Sequence, residues 1–167
     1  MAGQYRDERA AALLERYHER FGDPDLPVPV EAIAEDLLGL RVAETEELEV
    51  SGMLLPAKRE IWLNATEVRG RRRFTLAHEV GHWVCQCLEG RTAPIYCRDK
   101  DVSEAADRSL EREANVFAAE LLMPEPRVRE EWPRAADLEE LATGFGVSGE
   151  AMRWRLYSFG LVEERPA

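Results

Sequence analysis

The stretch "RRRFTLAHEVGHWVCQC", Arg71–Cys87, contains the pattern that decides the fold: two histidines four residues apart with a glutamate between them. On a helix, positions four apart lie above one another on one face, so His78 and His82 are placed to bind a single zinc ion. Glu79 is rotated by about 100° from His78, given the helical period, so its carboxylate can reach a metal-bound water without ligating. Such a carboxylate can take the proton of that water as it attacks a carbonyl group.

The H-E-x-x-H match alone does not exclude an ordinary helix whose polar residues bind no metal, because a pattern of three fixed letters also occurs by chance. The neighbouring residues favour a metal site. Phe74, Ala77, Gly81 and Cys85 share the stripe of the two histidines, and buried imidazoles cost free energy unless they coordinate or hydrogen-bond to something. Gly81 in mid-helix costs about 1 kcal/mol relative to alanine, which indicates a close approach to the backbone there. The commoner explanation for Cys85 is a small buried thiol.

A catalytic zinc site needs a third protein ligand. His18, the remaining histidine, has charged neighbours that place it on a solvated face, so the third ligand should be a carboxylate or a thiolate. In the helix predicted over about residues 104–122, Glu113 lies within the apolar stripe, where a buried carboxylate needs a partner such as a metal. Glu120, two turns later on nearly the same line of the helix, is the alternative third ligand by geometry. A salt bridge explains its position more simply. Glu111 falls on the opposite face and is predicted to be solvated.

The composition is that of an ordinary soluble globular chain of 167 residues, with 45% hydrophobic and 33% charged residues. Its formal net charge of −11 argues against direct nucleic-acid binding. The charged N-terminus lacks a signal-peptide core, no run is long enough to span a membrane, and three cysteines do not suggest a disulfide scaffold. We therefore expect a cytoplasmic protein with reduced thiols and no membrane contact.

Hydrophobic periodicity predicts an α+β fold in which helices carry most of the mass. The sheet is expected to be small, mixed or antiparallel, with about three to four strands. One strand is predicted at "LRVAE", and a hairpin joins Met53–Leu55 to Ile61–Leu63. Asn64, with Glu67 three residues later, is predicted to form a capping box for the motif helix. Predicted helices lie at about residues 4–21, 30–40, 65–88, 104–122, 137–145 and 148–159.

The segments "RRRFTLAHEVGHWV" and "EREANVFAAELLMP" together resemble the ImmA/IrrE family of metallo-endopeptidases. The resemblance extends to "PVPVEAIAEDLLGLRV" and "SGMLLPAKREIWLNA", and so covers most of the chain. It implies a zincin-like domain in which one catalytic Zn²⁺ is held by His78, His82 and Glu113, with Glu79 as general base and acid. Family members typically cleave a partner repressor that has a helix-turn-helix domain, which releases stress-response or mobile-element genes.

We place a metallopeptidase domain, including the N-terminal helix, at residues 1–125. A C-terminal helical extension at residues 126–167 would pack on it or contact substrate. An extended substrate could pair by strand addition with the edge of the hairpin formed by Ile61, Trp62, Leu63 and Asn64.

Hydrolysis also needs a donor for the oxyanion besides zinc. Tyr96, in the loop between the two motif helices, is one candidate, although a half-buried loop anchor would look the same. Arg73 is another candidate for this role or for binding substrate.

Two other functions stay open. The segment "LEELATGFGVSGEAMRWRLYSFGLV" has the pattern of two short helices joined by a turn, as in a helix-turn-helix. It carries Arg153 and Arg155, so the chain could be a DNA-binding regulator. The net charge argues against that. The chain could also be a silent zinc-site module that binds its partner without cutting it. Glu79 favours catalysis, because a non-catalytic site has no need of that glutamate.

Overall fold

The computed structural model describes residues 7–87, 95–97 and 105–167, with side chains over 7–87 and 108–167. The described strands are β1 Arg41–Thr45, β2 Gly52–Leu55, β3 Glu60–Asn64 and β4 Ile95–Cys97. The described helices are α1 Glu8–Phe21, α2 Val30–Ala32 with a π-helical continuation Ile33–Leu37, α3 Arg69–Cys85, α4 Ala105–Leu122, α5 Glu125–Glu131, α6 Leu138–Phe145 and α7 Gly149–Ser158.

The four described strands form one mixed sheet in the order β1-β3-β2-β4. β1 runs parallel to β3, whereas β2 is antiparallel to both β3 and β4. Leu54, Ile61 and Leu63 alternate along β2 and β3 and are all buried on the face that α3 covers. The predicted α+β class, the first strand and the hairpin are confirmed.

The predicted capping box before α3 is wrong. Asn64 is the last residue of β3, and its side-chain amide donates to the carbonyl of Leu48, 2.9 Å away. Glu67 accepts from the hydroxyl of Ser51 at 2.7 Å. Both side chains therefore hold the loop that enters β2, and α3 begins only at Arg69, without a side-chain cap.

Helices α3 and α4 pack with almost no side-chain material between them at Gly81. A Cβ atom at Gly81 would lie 3.1 Å from the carbonyl oxygen of Ala114 and 3.2 Å from Cδ1 of Phe117. The close approach predicted from this glycine is confirmed, and the approaching group is the backbone of α4. On another side α4 packs against α1, so two flanks of α4 are covered by protein.

The helices after α4 share its hydrophobic core. Val128, Phe145 and Leu156 belong to the same buried cluster as the residues of α3 and the sheet. Arg155 of α7 is buried and forms an ion pair with Glu120 of α4, as predicted for Glu120, although the pair lies in the interior rather than at an edge. The division of the chain at residues 125 and 126 stays a prediction.

Over the described ranges, no helix combines the length and the apolar character that a membrane span requires.

Substitution by alanine should change the free energy of unfolding in opposite directions at Gly81 and at Gly144, another helical glycine. Gly144 lies in α6 with open space where a Cβ would point, so Gly144→Ala should raise the free energy of unfolding by up to about 1 kcal/mol through helix propensity. Gly81→Ala should lower it by roughly 1–2 kcal/mol, because overpacking costs about 1–3 kcal/mol. Urea denaturation measures both, and a stabilised Gly81→Ala variant would contradict the contact.

The buried ion pair predicts a second contrast, within α7. Arg155→Met should cost about 3–5 kcal/mol of stability, because the Glu120 carboxylate would stay buried without its countercharge. Arg153→Met, two residues earlier on the exposed side of the helix, should change stability by no more than about 0.5 kcal/mol. Equal losses in urea denaturation would show that Arg155 contributes no more than a surface arginine.

Candidate metal centre

Helix α3 turns its three motif side chains into the protein. His78 and His82 are 4% and 1% exposed, and Glu79 is fully buried at 0%. The imidazole rings stack edge to face with 4.6 Å between centroids, and their Nε2 atoms lie 3.0 Å apart. The four-residue spacing therefore brings the two nitrogens to a single point, as predicted.

The carboxylate that meets this point is Glu111 of α4. Its Oε2 lies 2.9 Å from Nε2 of His78, and its Oε1 lies 2.9 Å from Nε2 of His82. Ligand atoms of the three residues all lie within 4.8 Å of one another, and among the described residues this is the one such group of histidine, cysteine and acidic side chains. The site is therefore assembled from α3 and α4.

The other nitrogen of each ring is held by an amide oxygen. Nδ1 of His78 lies 2.8 Å from Oδ1 of Asn115, and Nδ1 of His82 lies 2.5 Å from Oε1 of Gln86. An amide oxygen can only accept, so both Nδ1 atoms carry a proton and donate it. The Nε2 atoms are thereby directed towards Glu111, which is how metal-ligating histidines are usually oriented.

The charges of the site are strongly coupled. Burial alone would raise the pKa of the Glu111 carboxyl, but hydrogen bonds with His78 and His82 outweigh it and hold that pKa at about 2. Burial alone would lower the pKa of His82, but the hydrogen bond to Glu111 and the negative charges of Glu79 and Glu111 raise it. The site thus stabilises positive charge at the point where the two Nε2 atoms meet, and this is the charge that a cation would supply.

The three side chains fit a tetrahedral zinc ion. Zinc lies about 2.0–2.1 Å from nitrogen and oxygen ligands, which would place its ligand atoms roughly 3.4 Å apart. The contacts of 2.9–3.0 Å among His78, His82 and Glu111 need to open by only a few tenths of an ångström. Two imidazoles and one carboxylate are also a donor set that catalytic zinc uses.

The structure does not bring Glu113 to the histidines, and its predicted position at the metal is wrong. Its Oε1 lies 2.7 Å from Nη2 of Arg9 in α1, and its side chain is 34% exposed. Residues two positions apart on a helix are rotated by about 200°, so Glu113 points towards Arg9 and the end of α3 at Cys85, while Glu111 points towards the histidines. The sequence shows that α4 is amphipathic but does not show which partner helix covers which flank of its apolar stripe.

Gln86 and Asn115 were not predicted either. Gln86 follows His82 by four residues, and Asn115 follows Glu111 by four. A spacing of four residues on each helix therefore already placed Gln86 beside His82 and Asn115 beside Glu111. This spacing indicates a shared site only once the two helix faces are known to pack against each other.

The predicted substrate strand is also corrected. β3 lies between β1 and β2, and both of its edges are paired along Glu60–Asn64. A substrate cannot add to Ile61, Trp62, Leu63 and Asn64 as a new strand, because their backbone groups already bond within the sheet. Of the strands that the structure describes, β1 and β4 lie at the edges of the sheet.

Of the two candidate oxyanion donors, Tyr96 stays a prediction, and the guanidinium group of Arg73 is held by backbone carbonyl groups. Tyr96 lies in β4, opposite Met53, rather than in a loop, and its side chain is outside the described residues. Arg73 is half-buried and donates to the carbonyl oxygens of Val28 at 2.9 Å and Gly146 at 3.3 Å. Arg73 therefore ties α3 to two neighbouring loops, and its role in binding substrate or the oxyanion stays a prediction.

Cys85, on the histidine stripe, packs in the core at 2% exposure. Burial raises the pKa of its thiol to about 12, so this cysteine is protonated at neutral pH, and it does not belong to the group of side chains around the two histidines. The explanation of Cys85 as a small buried thiol is confirmed.

Residues 34–157 match a peptidase family described as the IrrE N-terminal-like domain. The chain belongs to this family. The resemblance seen in the motifs is thereby confirmed, and the family implies a metal ion. Within the curated proteins the chain is similar to the radiation response metalloprotease IrrE of Deinococcus radiodurans, with 33% identity over 109 residues. That alignment covers 63% of this chain and 33% of the relative, so the chain spans about a third of the relative's length.

The fold of this family member is similar to that of a Mycobacterium tuberculosis transcriptional regulator, with a TM-score of 0.65. The likeness covers 89% of this chain and 46% of the regulator. At 20% sequence identity it shows the fold alone.

The geometry predicts that two glutamates on one helix differ in their effect on metal binding. With Zn²⁺ as the probe ion, Glu111→Gln should weaken binding at least about 100-fold, because loss of a direct ligand should cost no less than loss of an outer-shell partner. Glu113→Gln should leave the affinity unchanged, since the contacts of Glu113 are with Arg9 and the Cys85 thiol rather than with the histidines. Competition with a chromophoric chelator measures both constants. A large loss in Glu113→Gln with none in Glu111→Gln would reverse the assignment.

Proposed function

We propose that this chain is a zinc-dependent endopeptidase that hydrolyses a peptide bond in a partner protein. The observation that carries the proposal is the convergence of His78, His82 and Glu111 beside the buried carboxylate of Glu79. In this proposal the first three residues bind the metal, and Glu79 is the general base and acid. Membership of a peptidase family supports the same reaction class.

The bound zinc ion would acidify a water molecule and polarise the scissile carbonyl group. The Glu79 carboxylate would take a proton from the attacking water and deliver it to the leaving amide nitrogen. Its burial supports this role, because a charge in a dry, low-dielectric site acts strongly on its neighbours. The charge of Glu79 already raises the pKa of His82. Asn115 and Gln86 would keep the two imidazoles oriented throughout the reaction.

The proposed substrate is a transcriptional repressor with a helix-turn-helix domain, whose cleavage would release stress-response or mobile-element genes. The resemblance to the ImmA/IrrE family supports this substrate class. A role in stress also agrees with the name of the relative, a radiation response metalloprotease. We propose that the protein acts in the cytoplasm, where such repressors are found.

Direct DNA binding by α6 and α7 is less well supported. The α6–turn–α7 arrangement does have the form of a helix-turn-helix, with Ser148 capping α7. However, the guanidinium of Arg155 is buried against Glu120 and the carbonyl oxygen of Met123, 3.0 Å from its Nε. Arg155 therefore cannot reach a phosphate or a base edge. The net charge of −11 also argues against DNA binding, because the phosphate backbone repels an acidic protein.

The decisive test uses Glu79→Gln on the zinc-loaded protein. The candidate substrate is a small helix-turn-helix repressor encoded beside this gene, with cleavage followed by gel electrophoresis and the cut site found by mass spectrometry. The wild type should cut the repressor, whereas Glu79→Gln should keep about one zinc ion per chain and lose about 10²–10⁴-fold in rate.

Glu113→Gln, on α4 but outside the site, is the matched control and should cut at the wild-type rate. Equal cleavage by Glu79→Gln and the wild type would refute the proposed mechanism. Stable binding of the repressor by the zinc-loaded wild type without any product would instead favour the silent binding module.

A further inference from the structure

We propose that Gln86 is a positioning residue that fixes the separation between the two halves of the metal centre. The inference rests on the proposed zinc site and concerns how this chain holds it together. Gln86 is the residue that ends α3, four residues beyond His82. It is buried at 6% exposure, which is unusual for a glutamine and indicates that its polar atoms are satisfied by the protein.

The side-chain amide of Gln86 bonds in two directions at once. Its Oε1 accepts from Nδ1 of His82 at 2.5 Å, and its Nε2 donates to the backbone carbonyl oxygen of Leu110 at 3.3 Å. Leu110 directly precedes Glu111 in α4. One planar amide thus connects a histidine of α3 to the backbone next to the carboxylate of α4.

This connection complements the Gly81 contact. Gly81 fixes how closely α3 approaches α4 at Ala114, one helical turn after Glu111. Gln86 provides a second point of attachment, at Leu110 on the other side of Glu111. With two points held, α4 cannot tilt at Glu111 without breaking a buried hydrogen bond, which leaves a desolvated polar group unsatisfied.

A simple cap at the end of α3 does not account for these contacts. The two hydrogen bonds described for the Gln86 side chain go to an imidazole and to another helix rather than to the last carbonyl groups of α3. A cap would affect the stability of the helix and nothing else. A positioning residue would also change the affinity and the coordination geometry of the metal.

Two substitutions separate the two bonds of Gln86. Gln86→Leu is close in size and removes both. Gln86→Glu keeps an acceptor for His82 but has no hydrogen to donate to the carbonyl of Leu110 when ionised. Arg155→Met is the control, since it destabilises the fold through the remote ion pair with Glu120 and leaves the metal centre intact.

The Zn²⁺ dissociation constant is measured by chelator competition, and the Co²⁺-substituted proteins are compared by their visible absorption spectra. Urea denaturation of the metal-free proteins records any loss of stability. Gln86→Leu should bind Zn²⁺ about 10–100-fold more weakly than the wild type and show an altered Co²⁺ spectrum. Gln86→Glu supplies His82 with a stronger acceptor but loses the bond to Leu110, so it should show an altered Co²⁺ spectrum whatever its affinity. Arg155→Met should bind Zn²⁺ as the wild type does despite its lower stability.

Wild-type affinity in Gln86→Leu would refute the role of Gln86 while leaving the metal centre and the proposed peptidase function intact. A wild-type Co²⁺ spectrum in Gln86→Glu would show that the bond to Leu110 does not position the site and would refute the two-sided role. Failure of the wild-type protein to bind Zn²⁺ would instead refute the metal centre itself, and this role with it.

Discussion

The contact between α3 and α4 at Gly81 is the constraint on which the candidate site depends. Because glycine has no Cβ, the backbone of α4 at Ala114 can lie directly against α3. At this distance the short side chain of Glu111 reaches both histidines, and Gln86 and Asn115 reach across from their own helices. The helical free energy that a mid-helix glycine costs, about 1 kcal/mol, is offset by the packing that it allows.

The site also shows how one helix serves two functions. α4 directs Glu111 towards the histidines of α3 and Glu113 towards Arg9 of α1. The first contact joins a half-buried carboxylate to two buried histidines, and it holds the pKa of Glu111 far below its usual range. The second is half-exposed, and ion pairs of that kind contribute little to stability. Glu111 and Glu113 therefore differ in their energetic contribution because their side chains meet different partners.

The C-terminal helices illustrate the same point for a motif that resembles another function. Their sequence has the form of a helix-turn-helix, and Asp137 and Ser148 do cap α6 and α7. Yet Arg155, one of the two arginines that suggested DNA binding, instead neutralises the carboxylate of Glu120 in the core. The charge that would attract DNA is used to join α7 to α4.

The sequence by itself determined most of the elements and half of the site. Periodicity and turn residues located the helices and the hairpin, and the spacing of four placed His78 and His82 on one face, because these patterns follow from local geometry. Only the tertiary structure decided that Glu111, rather than Glu113, completes the group, that β3 is an interior strand, and that Arg155 is structural. Each of these depends on which element covers a given flank, and a helical or strand period gives the direction of a side chain but not its neighbour.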